Sequence, residues 1–370
     1  MKNIFLTIFY FLLFESIGFG QTLVSENEIY SQRFGKEVIY KNSGNKLLEG
    51  YYKISDFSGN YSEAHFKNGK IQGKYVKYDN KDIIKSTTTF YEGKTQGDYT
   101  SFYQNGKTKV KGQFSDGEEN GKWEYYDNNG ELYAIENYKI GKKHGKWWRR
   151  YFNIDSQNYS FTTEHYNNGE YTGYSDEKLE SGEVIWKKDY KSNSTYIERH
   201  YYLNGQLKTF ESFKNGKQNG DFTKYDINGV LLEKLIYKEG QLQQENYFCQ
   251  NGNQRNITNY ANGLKNGLYK DYSCNGFLIR KGNFKNNLQD GVWKFYNLAN
   301  GQPESEKTFK NGKFNGMYKE YNKVNKIAIE GNYNNGYKDG VWKQYDLTGK
   351  LTTETTYNLG SEVTRINHTE

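Results

Sequence analysis

The side chains able to do chemistry are few, and their spacing matches no reaction. Two cysteines, Cys249 and Cys274, and five histidines, His65, His144, His165, His200 and His368, are spread along 370 residues. Each cysteine follows a tyrosine by two positions, Tyr247 and Tyr272, in neighbouring copies of a repeated unit. Equivalent strands of adjacent hairpins lie two strand spacings apart, about 9–10 Å. A disulfide needs Cα atoms within about 7 Å, so the spacing argues against an easy bridge, although an exported chain permits one. A metal site would want more thiols or a histidine pair. His144 occupies a turn slot filled elsewhere by Gln, Asn or Asp, which asks only for polarity.

No His-Glu-x-x-His, Gly-x-Ser-x-Gly or phosphate-cradling loop occurs. Asp127-Asn128-Asn129-Gly130 and Asp226-Ile227-Asn228-Gly229 share an opening with calcium loops but lack the alternating ligands and closing Glu. Hairpin turns explain them better. Acidic pairs such as Glu118 and Glu119 face no identifiable partner carboxylate. The reading is therefore a non-enzyme with no catalytic residues, cofactor or metal.

What remains is recognition chemistry. Trp123, Trp147, Trp293 and Trp342 share one slot of the unit and read as core. The alternative is a strip of rings that stacks on sugars or sits among lipid headgroups. Trp148 must point to the opposite face from Trp147, because strand side chains alternate. With Arg149 and Arg150 it forms one candidate partner-binding patch, and Trp186, Lys187 and Lys188 form a second.

These residues sit on a repeat. An aromatic opens each unit and recurs thirteen times from Phe66 to Tyr357, mostly at steps of 24. One copy reads FSDGEENGKWEYYDNNGELYAIEN, from Phe114 to Asn137. Segments of six to eight residues rich in Tyr, Phe, Trp, Val, Ile and Thr alternate with Asn-Gly and Asp-Gly clusters, the signature of hairpins. A period of this length means an array in which each unit packs on its neighbours. The composition agrees, with 39 Gly for turns and Pro303 as the one Pro. Hydrophobic residues make up only 34%, but aromatics reach 18%, so large rings supply the burial. The expected fold is all-β: an elongated, single-layer, twisted antiparallel sheet of tandem hairpins.

The runs FKNGKIQGKYVKYDNKD (66–82), FKNGKQNGDFTKYDINGVLLEK (213–234) and YNNGYKDGVWKQYDLTGKL (333–351) resemble MORN-type repeats. They are closer to the bacterial variant known as YwqK-family antitoxin repeats. The resemblance covers about residues 40–360. It implies scaffolding, partner binding, membrane proximity in some members, or neutralisation of a toxin.

The expected organisation is a secretory signal peptide over 1–20, a cap over 21–39, repeats over 40–360 and a loose tail over 361–370. The period breaks between about 150 and 205, where a loop or docking patch is expected. Export places the chain in the periplasm, on the outer-membrane surface or outside the cell. A net charge of +7 spread along the units allows an anionic lipid or polysaccharide surface as an alternative to a protein partner. Nucleic acid is a poor partner for an exported chain without a basic stripe. The partner's identity and the oligomeric state stay open.

Overall fold

The computed structural model describes residues 20–154 and 157–368, so the expected signal peptide over 1–20 falls, but for Gly20, outside the described residues. The described chain is all-β, a mostly antiparallel open sheet of successive hairpins. The helical turn among the described residues is the 3-10 turn Glu26–Glu28. Two compact units are present. One runs to Tyr151 and takes in Tyr166–Gly169; the other comprises Phe152–His165 and the chain from Glu170 onward.

Each repeat uses two kinds of turn. Within a hairpin, the strand Gly121–Tyr126 pairs with Leu132–Lys139. The intervening turn closes through the Gly130 N–H, which donates to the Asp127 carbonyl at 2.9 Å. Asp127 Oδ1 also accepts from the N–H groups of Asn129 (2.8 Å) and Glu131 (2.9 Å). An Asp does this because its short carboxylate can bond the backbone two residues on. Between hairpins, Asp116 and Gly117 take φ values of 51° and 83° in succession, a demand that selects Asn, Asp and Gly.

The linking turns are tied to one another. The Gly117 N–H donates to the Thr95 carbonyl at 2.9 Å, and the Gly141 N–H to that of Glu119 at 2.8 Å. A side chain adds a second tie. Gln72, Gln96, Asn120, Asn219 and Asp339 each accept the backbone N–H of the residue twenty positions on. The polar slot read from sequence is thus an acceptor that caps the next unit's turn. His144 stands in that slot, and its Nδ1 has no partner among the described residues.

The second unit builds its core from rings and glycines. Gly282 pairs across from Tyr269, and the Trp293 indole lies flat over the glycine, leaving no room for a Cβ. The Tyr269 and Trp293 rings are 5.6 Å apart across it, and Trp293 is 1% exposed. Tyr318, Gly331 and Trp342 repeat the arrangement at 5.5 Å.

The first unit adds a layer. Thr22–Ser25 pairs parallel with Gly50–Ser55 and covers that edge. Ile29–Phe34 and Glu37–Asn42 then form a separate hairpin whose Tyr40 packs on Phe66 (5.3 Å, edge to face) above Leu48, Ala64 and Ile71.

Two expectations are corrected. Cys249 and Cys274 form a disulfide with a Cα separation of 5.6 Å. The strand-spacing argument fails because both residues sit in turns, Cys249 to Gly252 and Ser273 to Gly276, and these turns lean on each other. Asn251 of one donates to the Cys274 carbonyl of the next at 2.7 Å. The C-terminal segment is not loose: Ser361–Asn367 pairs antiparallel with Leu351–Asn358. Its polar composition reflects an exposed strand rather than an unpaired one.

Candidate binding surfaces

Trp148, Arg149 and Arg150 lie on the strand Gly145–Asn153. Trp147 faces the ring ladder. Its indole N–H donates to the Asn137 carbonyl at 2.8 Å, and the Lys143 ammonium sits 4.2 Å from its ring centre. Trp148, on the alternate face, pairs with Ile135 and is half-buried. Arg149 reaches Glu136 at 3.1 Å, and Arg150 reaches Glu131 at 2.9 Å.

Glu136 was not singled out from sequence. It is 8% exposed and stands where Gly112 stands one unit earlier. The hydroxyls of Tyr125 and Tyr138 each donate to its Oε2 at 2.9 Å. Burial, then the bond to this carboxylate, pushes both phenols well above the ordinary tyrosine range. Glu119 nearby is raised by burial and by the charges of Glu136 and Glu118. No sequence signal marked it, because the same slot holds Ala64, Thr88, Gly112, Glu136 and Glu164 in successive units.

Trp186, Lys187 and Lys188 lie in the second unit on Val184–Ser192, which pairs with Thr195–Tyr201. The Trp186 indole N–H donates to Glu198 Oε1 at 2.7 Å, and the Lys188 ammonium meets Oε2 at 3.1 Å. Burial resists ionisation of Glu198. The indole and ammonium outweigh it and hold the carboxyl below its usual range. Lys187 pairs with Asp189 at 3.3 Å, and Arg199 pairs with the same carboxylate. In both triplets the cations are matched by carboxylates on the sheet, so neither is a bare basic patch. The degenerate copy opened by Tyr190 still makes a hairpin, with Tyr190 opposite Tyr196.

Two open cavities carry ring and polar groups. One of about 520 Å³ in the first unit is lined by Tyr40, Tyr61, Tyr75, Tyr78, Lys77 and Asp56. One of about 390 Å³ in the second is lined by Glu245, Tyr247, Arg255, Lys265, Tyr269 and Asp271. Tyr61 is already engaged, stacked on Tyr78 at 4.5 Å with the Lys53 ammonium 3.6 Å from its ring centre. Among the described residues, no group of three or more His, Cys, Asp or Glu side chains is placed to hold a metal ion.

The architecture is that of a hairpin repeat array. The family model described as a MORN repeat variant matches it at residues 95–116, 119–139 and 338–359. Repeats of this kind are generally non-catalytic, which points to a scaffold or binding role. No curated protein matches. Among solved structures, the Photorhabdus luminescens Tc holotoxin pore carrying TccC3-D651A is 11% identical over 85% of this chain and 18% of its own, with a TM-score of 0.18. The TcdB2-TccC3 crystal structure is 10% identical over 85% of this chain and 27% of its own, with a TM-score of 0.12.

Proposed function

We propose that this chain is an exported, non-enzymatic repeat scaffold that holds a protein partner in the cell envelope. The observation that carries the reading is the array itself. Within each unit, turn-to-turn and ring-to-ring ties repeat equivalent positions, and the ionisable side chains near the candidate patches are spent on one another. The Cys249–Cys274 bridge supports export, because such a bond persists in an oxidising compartment.

Affinity capture with the full chain from envelope fractions, followed by mass spectrometry, tests the partner. A specific protein enriched over a scrambled-repeat control is expected, and repeated failure to enrich any protein would overturn the reading. The N-terminal residue of the mature protein tests export: a start near Gln21 is expected, and an intact Met1 on protein from the envelope would sink it. An immunity role rests on the resemblance to YwqK-type repeats alone. An exported location would confine it to toxins acting in the envelope.

A further inference from the structure

The chain contains an example of how its linking turns can be bound. The strand Glu37–Asn42 belongs to the hairpin that lies outside the main sheet, and it crosses three successive linking turns. Its Tyr40 N–H donates to the Gly69 carbonyl at 2.7 Å, the Val38 carbonyl lies against Gly93, and the Lys36 side chain lies against Gly117. Backbone groups of the strand two residues apart, with Lys36 just before it, thus meet consecutive units. The Glu37 and Ile39 side chains are the alternate pair that faces the turns, and the strand runs opposite to the order of the units. The residue after each turn supplies matching chemistry. Lys70 and Lys94 hold the Glu37 carboxylate at 2.9 and 3.9 Å, and Glu118 holds Lys36 at 3.1 Å.

The same post-turn position changes character in the last units. It reads Leu264, Leu288, Lys313 and Tyr337, and the three non-polar members are 38%, 47% and 60% exposed. Leu288 lies over Gly312 and Tyr337 over Gly360, just as Lys70 lies over Gly93. Among the described residues, no second hairpin outside the main sheet crosses these turns. A row of large exposed side chains in register marks a contact surface rather than scattered exposure.

We infer that the turns preceding Leu264, Leu288, Lys313 and Tyr337 bind an extended peptide of a partner protein, laid across the units as Glu37–Asn42 is laid across the first three. Running in the same direction, the peptide presents alternate residues: an apolar side chain to Tyr337, an acid to Lys313, then apolar side chains to Leu288 and Leu264. The acid completes a pairing that Glu37 makes with Lys70 in the first unit. The inference rests on the scaffold reading and adds to it a surface and a ligand class.

The test uses the full chain and a short labelled peptide in which serine alternates with leucine, glutamate, valine and valine in that order, read by fluorescence anisotropy. Saturable binding is expected. Leu288→Glu and Tyr337→Ser should each weaken it by at least about tenfold, the loss of one anchoring contact. Lys313→Glu should weaken the acidic peptide and favour one carrying lysine in place of glutamate. Circular dichroism checks that these exposed sites leave the fold intact. The proposal is overturned if no saturable binding occurs, or if the three variants bind as the parent does. It is also overturned if the same variants instead abolish pelleting with anionic vesicles or self-association of the chain. An envelope protein captured equally by parent and variants would keep the scaffold reading and end this one.

Discussion

The core around Phe66 and the core around Trp293 solve one problem in two ways. A single-layer sheet has no second layer to cover its apolar face. In the first unit a hairpin folds back over that face, so Tyr40 covers Phe66 and the strand Glu37–Asn42 seals the neighbouring turns. In the last repeats no such layer is needed. Each indole lies flat on the glycine of the adjacent strand, as Trp123 does on Gly112 in the first unit, and aromatic rings on either side complete the cover. The difference teaches that glycine here does two jobs. In turns it supplies positive φ, and at Gly282 and Gly331 it clears the space a ring occupies. It also teaches what the borrowed layer costs: the covered turns are occupied, while the bare ones keep Leu288 and Tyr337 exposed.

Trp293→Ala should separate the two solutions most sharply. It removes a fully buried ring from a core with nothing behind it, and a loss of about 3–5 kcal/mol is expected in urea unfolding followed by near-ultraviolet signal. Amide protection should fall around Gly282 and stay unchanged around Phe66. An equal loss of protection around Phe66 would mean that the two cores are not independent.

Reducing the Cys249–Cys274 bridge comes next. It closes a loop of 25 residues, a constraint worth about 3 kcal/mol, and has no counterpart in the first unit. The melting temperature should drop on adding reductant, and Cys249→Ser should reproduce that drop without responding to reductant. An unchanged melting temperature would show that the turns hold each other without the bond.

Tyr40→Ala should loosen the added layer by about 2 kcal/mol, less than a full ring because Tyr40 is only half-buried. Hydrogen exchange should rise at the Tyr40, Leu48 and Gly69 amides, which link the hairpin to the first linking turn. Protection of the Trp293 region should not move.

The smallest effect is expected to be shared. Burial, then a neighbouring carboxylate, pushes Tyr61 in the first unit and Tyr318 and Tyr345 in the second up to about 12. A raised folded-state value favours the protonated phenol. The contribution is therefore complete below the ordinary value of 10.0 and is lost as pH rises through about 12. Both units should weaken over that window, with tyrosinate absorbance rising as they do. Loss in only one unit would mean that its phenols alone are sealed from water.

Much of this was readable. Asn-Gly and Asp-Gly pairs marked both turn types because positive φ is a local demand that few residues meet. Around Trp123 those turns place strands at about 122–127 and 131–138, and the structure has them at Gly121–Tyr126 and Leu132–Lys139 for the same reason. The turn-capping slot of Gln72, Gln96 and Asn120 was visible only as polarity, because its acceptor role needs the backbone of the next unit. Glu136 stood out from nothing, since its slot also holds Ala64, Thr88 and Glu164, and its partners Tyr125, Tyr138 and Arg149 come together only through strand register. The cysteines were misjudged because a strand spacing was applied to residues that belong to leaning turns.

By itself the sequence determined the hairpin, its period and its turns, since these depend on residues within one unit and on the stereochemistry of Asn, Asp and Gly. Tertiary structure decided which rings are sealed, which cysteines meet and which turns the N-terminal hairpin covers. Those outcomes depend on what strands two places away, or a hairpin thirty residues distant, bring to the same face. No local pattern carries that information, because burial is a property of the assembled surface.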